Sequence, residues 1–310
     1  MARISYIKPK MKGNTLVLGS GGIKACAAIG LLKVLEEKKI KINHVFASSA
    51  GSIIGALYAM GRSAQDIQDL VLKIWKNKLF LDLNSKGIIN LFSSNKKGDL
   101  PFALIKGRRI EQTLYDNFGD IDIETTQRCG LTIIATNVKT GKSELLEKGS
   151  LVKALMASIS LPIFMPPQVF RENLLVDGGL SNPLPLDIAI NRKYSAIIAM
   201  GFDSFFEEPA VNPLSYLINL INRVIKDHFE AKIRECTKNA KQDGSCSEII
   251  RIPVKNKILF FNTKKINELI IAGEKEAEAR IIKAYPLSEQ YSTLTIKSMT
   301  PYQTYKAEEE

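Results

Sequence analysis

The chain has 310 residues, 45% of them hydrophobic and 24% charged, and a formal net charge of +11. That length suits one large domain or a domain with an appendage, and the balance of residues excludes a disordered or fibrous chain. A single tryptophan and scattered aromatics offer no base-stacking platform or known reader motif, so the positive charge does not point to nucleic acid.

Residues 1–13 are basic without an apolar core segment, so they are expected to be an N-terminal extension and not a signal peptide. Thr15-Leu16-Val17-Leu18 predicts a buried strand, and Gly19-Ser20-Gly21-Gly22 follows it directly. A helix is expected over 23–38, with Leu31, Leu32 and Leu35 on its apolar side. Residues 45–47 read as a second strand and 53–60 as a helix. The uncharged stretch 42–61 has the length of a membrane span. Its Asn43, His44, Ser48, Ser49 and Ser52 argue against one. Ile67, Leu70, Val71 and Ile74 predict a helix over 63–77.

Segment 73–109 carries nine basic residues against Asp82 and Asp99, beside Ile88, Ile89, Leu91 and Phe92. This composition suits a lid facing an anionic membrane surface, and equally a solvated loop. Further on, helices are expected over 109–118 and 151–158, and strands over 131–136, 143–146, 174–176 and 196–200. Alternating helices and short apolar strands imply an α/β fold whose mainly parallel sheet is covered on both faces. Beyond 206, Leu214, Leu217, Ile218, Ile221, Val224, Ile225 and Phe229 mark one face of a long helix. A strand over 249–254 and a charged helix over 264–284 follow, with a frayed Glu308-Glu309-Glu310 end. The excess charge lies early: residues 1–205 hold 27 Lys and Arg against 17 Asp and Glu, the remainder 16 against 15. Cys26, Cys129, Cys236 and Cys246 form no C-x-x-C pair, so free thiols are expected.

Three pieces of this chain suggest chemistry. Ala47-Ser48-Ser49-Ala50-Gly51 puts a serine on a strand-to-helix turn with small residues two before and two after it. Such an elbow lifts a hydroxyl clear of the sheet. Gly51 favours Ser49 over its neighbour Ser48, because a Cβ two residues past the nucleophile would meet the strand. The plain alternative is a tightly packed turn with locally bonded hydroxyls. The second piece is Gly19-Ser20-Gly21-Gly22-Ile23-Lys24, which opens a helix and directs backbone N–H groups to one point. Donors of this kind are worth roughly 2.7–4 kcal/mol each in acyl transfer. A nucleotide loop is the rival, but there is no G-K-[ST], and Ala25 breaks the dinucleotide fingerprint.

A base is harder to find, since His44 and His228 are the chain's two histidines. His44 lies five residues before Ser49 on one strand, roughly 16 Å back along the chain, and reads as a packing residue. His228 sits next to Phe229 and is expected on or near the buried edge of its helix. A Ser-His-Asp triad is therefore not expected. The third piece, Val176-Asp177-Gly178-Gly179, offers a carboxylate at the end of a short strand, although Asp-Gly is also a common turn.

Together these pieces resemble the patatin-like phospholipase family. Its G-G-G-x-[KR]-G falls on Ser20-Gly21-Gly22-Ile23-Lys24-Ala25, its G-x-S-x-G on residues 47–51, and its D-G-[GA] on Asp177-Gly178-Gly179. Ala157-Ser158-Ile159-Ser160-Leu161-Pro162 with Pro166-Pro167 looks like its A-S-x-A-x-P segment. The likeness covers about residues 14–205 and implies a three-layer sandwich, with 206–310 as a helical and strand extension on the core. It implies a Ser–Asp dyad in which Ser49 attacks a lipid ester, Asp177 takes its proton, and the amides of Gly21 and Gly22 hold the oxyanion. Lys24, Gly51, Gly178 and Gly179 would support these motifs. Neither a metal nor a cofactor is implied.

A cytoplasmic protein with peripheral membrane association is expected, with a protein activator as a candidate partner. The expected activity is phospholipase A or lysophospholipase hydrolysis, although Ser20, Ala25 and Ala47 stand where the family usually has glycine, which points to reduced or partner-dependent activity. The alternatives are a weak or inactive lipid- or partner-binding protein, and a lipid acyltransferase.

Overall fold

The computed structural model describes residues 12–76, 103–201, 213–242, 248–253 and 265–284. The greater part of the expected 1–13 extension, the centre of the basic 73–109 segment and the Glu308-Glu309-Glu310 end lie outside these residues.

Eight strands form one sheet. Its parallel part runs β8 (Glu248–Pro253), β7 (Tyr194–Gly201), β1 (Lys12–Leu18), β2 (His44–Ser48) and β3 (Gly130–Asn137). Leu18 stands opposite both Ala47 and Met200, so three strands end together at one rim. Three antiparallel strands complete the sheet: β4 (Ser143–Leu146) on β3, β6 (Asn173–Asp177) also on β3, and β5 (Gln168–Phe170) on β6.

Successive strand residues are buried on opposite faces, which makes this a three-layer α/β sandwich. Leu16, Leu18, Val45, Ala47, Leu131 and Ile133 join one core cluster. It is shared with α1 (Ala27–Glu37), α2 (Ala50–Ala59), α3 (Ala64–Lys76), α4 (Arg108–Phe118) and α5 (Leu151–Ile159). The alternate residues Val17, Phe46, Ile197 and Ala199 pack under α6 (Leu186–Asn191) and Phe229 of α7 (Pro213–Gln242). The last helix, α8 (Ile266–Ala284), returns to the first face and buries Ile266, Leu269, Ile270, Ala277 and Ile281 there.

Several local expectations change. β1 begins at Lys12, because Lys12 pairs with Tyr194. The helix expected over 23–38 is a 3-10 turn, Gly22–Cys26, leading into α1. His228 is exposed, unlike the expected buried edge: Ile225 and Phe229, four residues apart, define the buried stripe, and His228 falls beside it. Among the described residues no helix is long and apolar enough to cross a membrane, and the uncharged stretch 42–61 folds as β2 and α2. Cys26 and Cys129 are free and buried.

Candidate active site

The edge of β3 sets the position of the site. β3 pairs with β4 through Ile133–Thr136, a stretch whose other edge is taken first by β2 and then by β6. β2 is parallel to β3 and stops where Ser48 faces Ile134. β6 arrives antiparallel along the same edge and stops where Asp177 faces Ala135. Two strands thus end head to head at neighbouring positions, and the residue after Ser48 is brought against Asp177. The Ser49 hydroxyl donates to Asp177 Oδ2 at 2.6 Å.

Ser49 has a φ of 53° and a ψ of −133°. A non-glycine residue in this region stores roughly 1–3 kcal/mol of backbone strain, which surrounding contacts must hold. Here the Ser49 N–H donates to Ser158 Oγ at 2.9 Å, and Ser158 Oγ donates to the Ile134 carbonyl at 2.6 Å. The Ser49 carbonyl accepts from Ser52 Oγ at 2.6 Å. A sharp turn held from three sides fits a serine presented to a substrate. Ser48, the rival, is wholly buried and its Oγ has no hydrogen-bond partner; it lies against Gly178.

Asp177 is 3% exposed. Burial pushes its carboxyl up to about 6, against the opposing pull of hydrogen bonds from Ser49 and from the Gly179 N–H, which reaches Oδ1 at 2.7 Å. Its backbone is fixed as well: Asp177 N–H donates to the Ser160 carbonyl at 2.9 Å, and its carbonyl accepts from Thr136 Oγ1 at 2.7 Å. A carboxylate with that affinity for a proton is suited to general-base work near neutral pH.

Beyond β1, the Gly19 N–H donates to the Met200 carbonyl and the Ser20 N–H to the Pro183 carbonyl, at 3.0 and 2.7 Å. The chain then turns through Gly21 into the 3-10 turn, where Gly22 has a φ of 54° that favours glycine. Lys24 N–H closes onto the Gly21 carbonyl, so the first amides of the turn lack an intrahelical acceptor. Lys24 itself is buried, and its ammonium is pushed down to about 8 by desolvation.

The three segments touch pairwise, each time at a glycine. A Cβ on Gly51 would sit 2.6 Å from the Gly19 carbonyl oxygen. One on Gly178 would meet the Ile134 carbonyl and come within 2.7 Å of Ser48 Oγ, and one on Gly179 would lie 2.9 Å from Ser20 Cβ. Elbow, loop and acid turn therefore close on one another. Ser20, Ala25 and Ala47, the departures from the family pattern, are all buried, and the Ser49–Asp177 bond forms with them in place.

Both histidines bond elsewhere than at Ser49. His44 Nε2 bonds Thr132 Oγ1 at 2.7 Å and its ring packs on Phe46. His228 Nδ1 lies 3.0 Å from the Leu180 carbonyl, on the turn that follows Asp177. Sequence reasoning missed the part of Ser158, which lies 109 residues from Ser49. The signal available was its place at the end of an apolar helix before prolines. Among the described residues no group of three or more His, Cys, Asp or Glu could hold a metal ion.

A family model described as patatin-like phospholipase matches residues 16–190. The chain is 31% identical over 201 residues to neuropathy target esterase sws of Drosophila melanogaster, across 63% of this chain and 13% of that protein. It is 30% identical over 204 residues to patatin-like phospholipase domain-containing protein 6 of Homo sapiens, across 63% of this chain and 14% of that protein. The chain thus spans only 13–14% of the length of these curated relatives. Among solved structures it resembles VipD from Legionella pneumophila at 14% identity and a TM-score of 0.48, over 89% of this chain and 67% of that one.

Proposed function

We propose that this chain, which belongs to the patatin-like phospholipase family, is a serine acyl hydrolase that releases fatty acids from membrane lipids through Ser49 and Asp177. The observation that carries this reading is the 2.6 Å hydrogen bond from the strained Ser49 to a buried carboxylate.

In the proposed mechanism Ser49 Oγ attacks the ester carbonyl carbon while its proton passes to Asp177 Oδ2. The carbonyl π pair moves onto oxygen, and the amides of Gly21 and Gly22 stabilise that charge. Collapse expels the alcohol, which takes the proton back from Asp177, and leaves an acyl-Ser49. Water attacks the acyl carbon with Asp177 again accepting a proton, and the fatty acid departs as Ser49 is reprotonated. Asp177 acts alone as base because it is dry: burial raises its proton affinity to the range a histidine would supply. Gly51, Gly178 and Gly179 keep the three segments at the spacing that attack requires, and Lys24 anchors the oxyanion turn from within.

Membrane phospholipids or lysophospholipids are the proposed substrates, met at an anionic surface that suits the net charge of +11. Mass spectrometry of phospholipid vesicles incubated with the protein tests this reading. Wild-type protein is expected to yield free fatty acid and lysolipid, and Ser49→Ala to yield about a thousandfold less or none. Equal release by the Ser49→Ala protein rejects the reading. Adding an alcohol acceptor distinguishes acyl transfer, which would give a new ester instead of free acid.

A further inference from the structure

Ser20 stands between the oxyanion loop and the acid turn, and its side chain has no role in the mechanism above. Its residue is 5% exposed, and Oγ is buried without a hydrogen-bond partner. What the side chain does touch is Gly179: Ser20 Cβ and Oγ each lie 2.9 Å from where a Gly179 Cβ would be. The Gly179 N–H is the group that holds Asp177 Oδ1, and the residues after Ser20 are Gly21 and Gly22. Gly179 is not among the positive-φ residues, so its backbone makes no demand for glycine. The want of a side chain there is met by the bulk of Ser20.

We propose that Ser20 is a positioning residue, a wedge against Gly179 that sets the spacing between the Gly21–Gly22 amides and the Asp177 carboxylate. The inference rests on the Ser49–Asp177 reading and deepens it. Ser20 stands where the family usually has glycine, so its Cβ and Oγ are volume that a glycine would not set against Gly179. Without the wedge, the loop and the turn can close by a fraction of an ångström, and misplacement of about 1 Å between reacting groups lowers turnover by roughly a hundredfold. The loss falls on kcat, since the oxyanion exists only in the transition state.

The test is a volume swap, read by steady-state hydrolysis of p-nitrophenyl butyrate and by melting temperature. Ser20→Ala keeps Cβ and should stay within about threefold of wild type in kcat, with a melting temperature equal or higher. Ser20→Gly should lose at least about tenfold in kcat with KM unchanged. Gly179→Ala should lose about a hundredfold or more, because the new methyl meets Ser20. Ser20→Gly/Gly179→Ala should recover to within about tenfold of Ser20→Gly. The remaining loss reflects the 3.0 Å approach of that methyl to Asp177 Oδ1.

A double variant no better than Gly179→Ala overturns the wedge. So does a Ser20→Ala protein as impaired as Ser20→Gly, which would assign the effect to the hydroxyl. Losses in Ser20→Gly that follow melting temperature alone also overturn it. A Ser49→Ala control separates the two levels: full hydrolysis by that protein rejects the dyad itself, and the wedge with it.

Discussion

At Asp177 two opposed effects set the proton affinity of the carboxyl group. Desolvation favours the neutral acid, while hydrogen bonds from Ser49 and Gly179 favour the ion, and desolvation prevails, to about 6. In the proposed mechanism the base is the ionised form, so kcat/KM should fall as pH drops through about 6 and approach a tenfold loss per further pH unit. A pH series of kcat/KM on a soluble ester checks this, and an acid limb near pH 4 would mean that Asp177 is as wet as a surface carboxylate. Ser49 and Asp177 could both be found in the sequence because a turn that needs small residues leaves a local trace. The role of Ser158 could not, since its bond to the Ser49 amide depends on where a helix 109 residues away ends. His228 was misplaced for a similar reason: apolar spacing marks a stripe, and a neighbour lies about 100° off it.

The elements deliver these side chains through strand ends rather than through loops. β2 and β6 meet head to head on one edge of β3, and Thr136 of β3 also bonds the Asp177 carbonyl, so the dyad spacing is a matter of register. On the outer face α8 lies on the α1 side of the core with Leu269 wholly buried. Leu269→Ala should therefore destabilise the fold by about 2–5 kcal/mol, measured as a shift in denaturant midpoint at unchanged slope. A shift below about 0.5 kcal/mol would mean that α8 is not part of the cooperative core. Periodicity revealed α1 to α5 and the long parallel strands, because apolar residues repeat clearly over such lengths. It did not reveal β5, three residues long, or α6, six residues long and preceded by Pro183 and Pro185. Elements of that length hold no full period and depend on tertiary contacts. The extent of α7 to Gln242 was likewise hidden once its apolar positions thin out after Phe229.

For the molecule as a whole, three strand ends far apart in sequence, those of β1, β2 and β6, form one polar spot at the rim of a buried sheet. The architecture was legible because an alternation of strands and helices leaves few ways to cover both faces. The dyad geometry was less so, since the antiparallel return of β6 has no signature in a short run of Leu174, Leu175 and Val176. The C-terminal residues add β8 beside β7 and seat α7 on the acid turn through His228 and on α6 through Lys232, which pairs with Asp187 at 2.8 Å. Activity of the folded chain is thus proposed to depend on contacts made well outside residues 16–190.

The most direct measurement of the central claim is intact-protein and peptide mass spectrometry after brief exposure to a fluorophosphonate at pH 7.5. A single adduct on Ser49 is expected in the wild-type protein, none in Ser49→Ala, and formation slowed by about a hundredfold or more in Asp177→Asn. An adduct on Ser48 or elsewhere, or equal labelling rates in the wild-type and Asp177→Asn proteins, would contradict it.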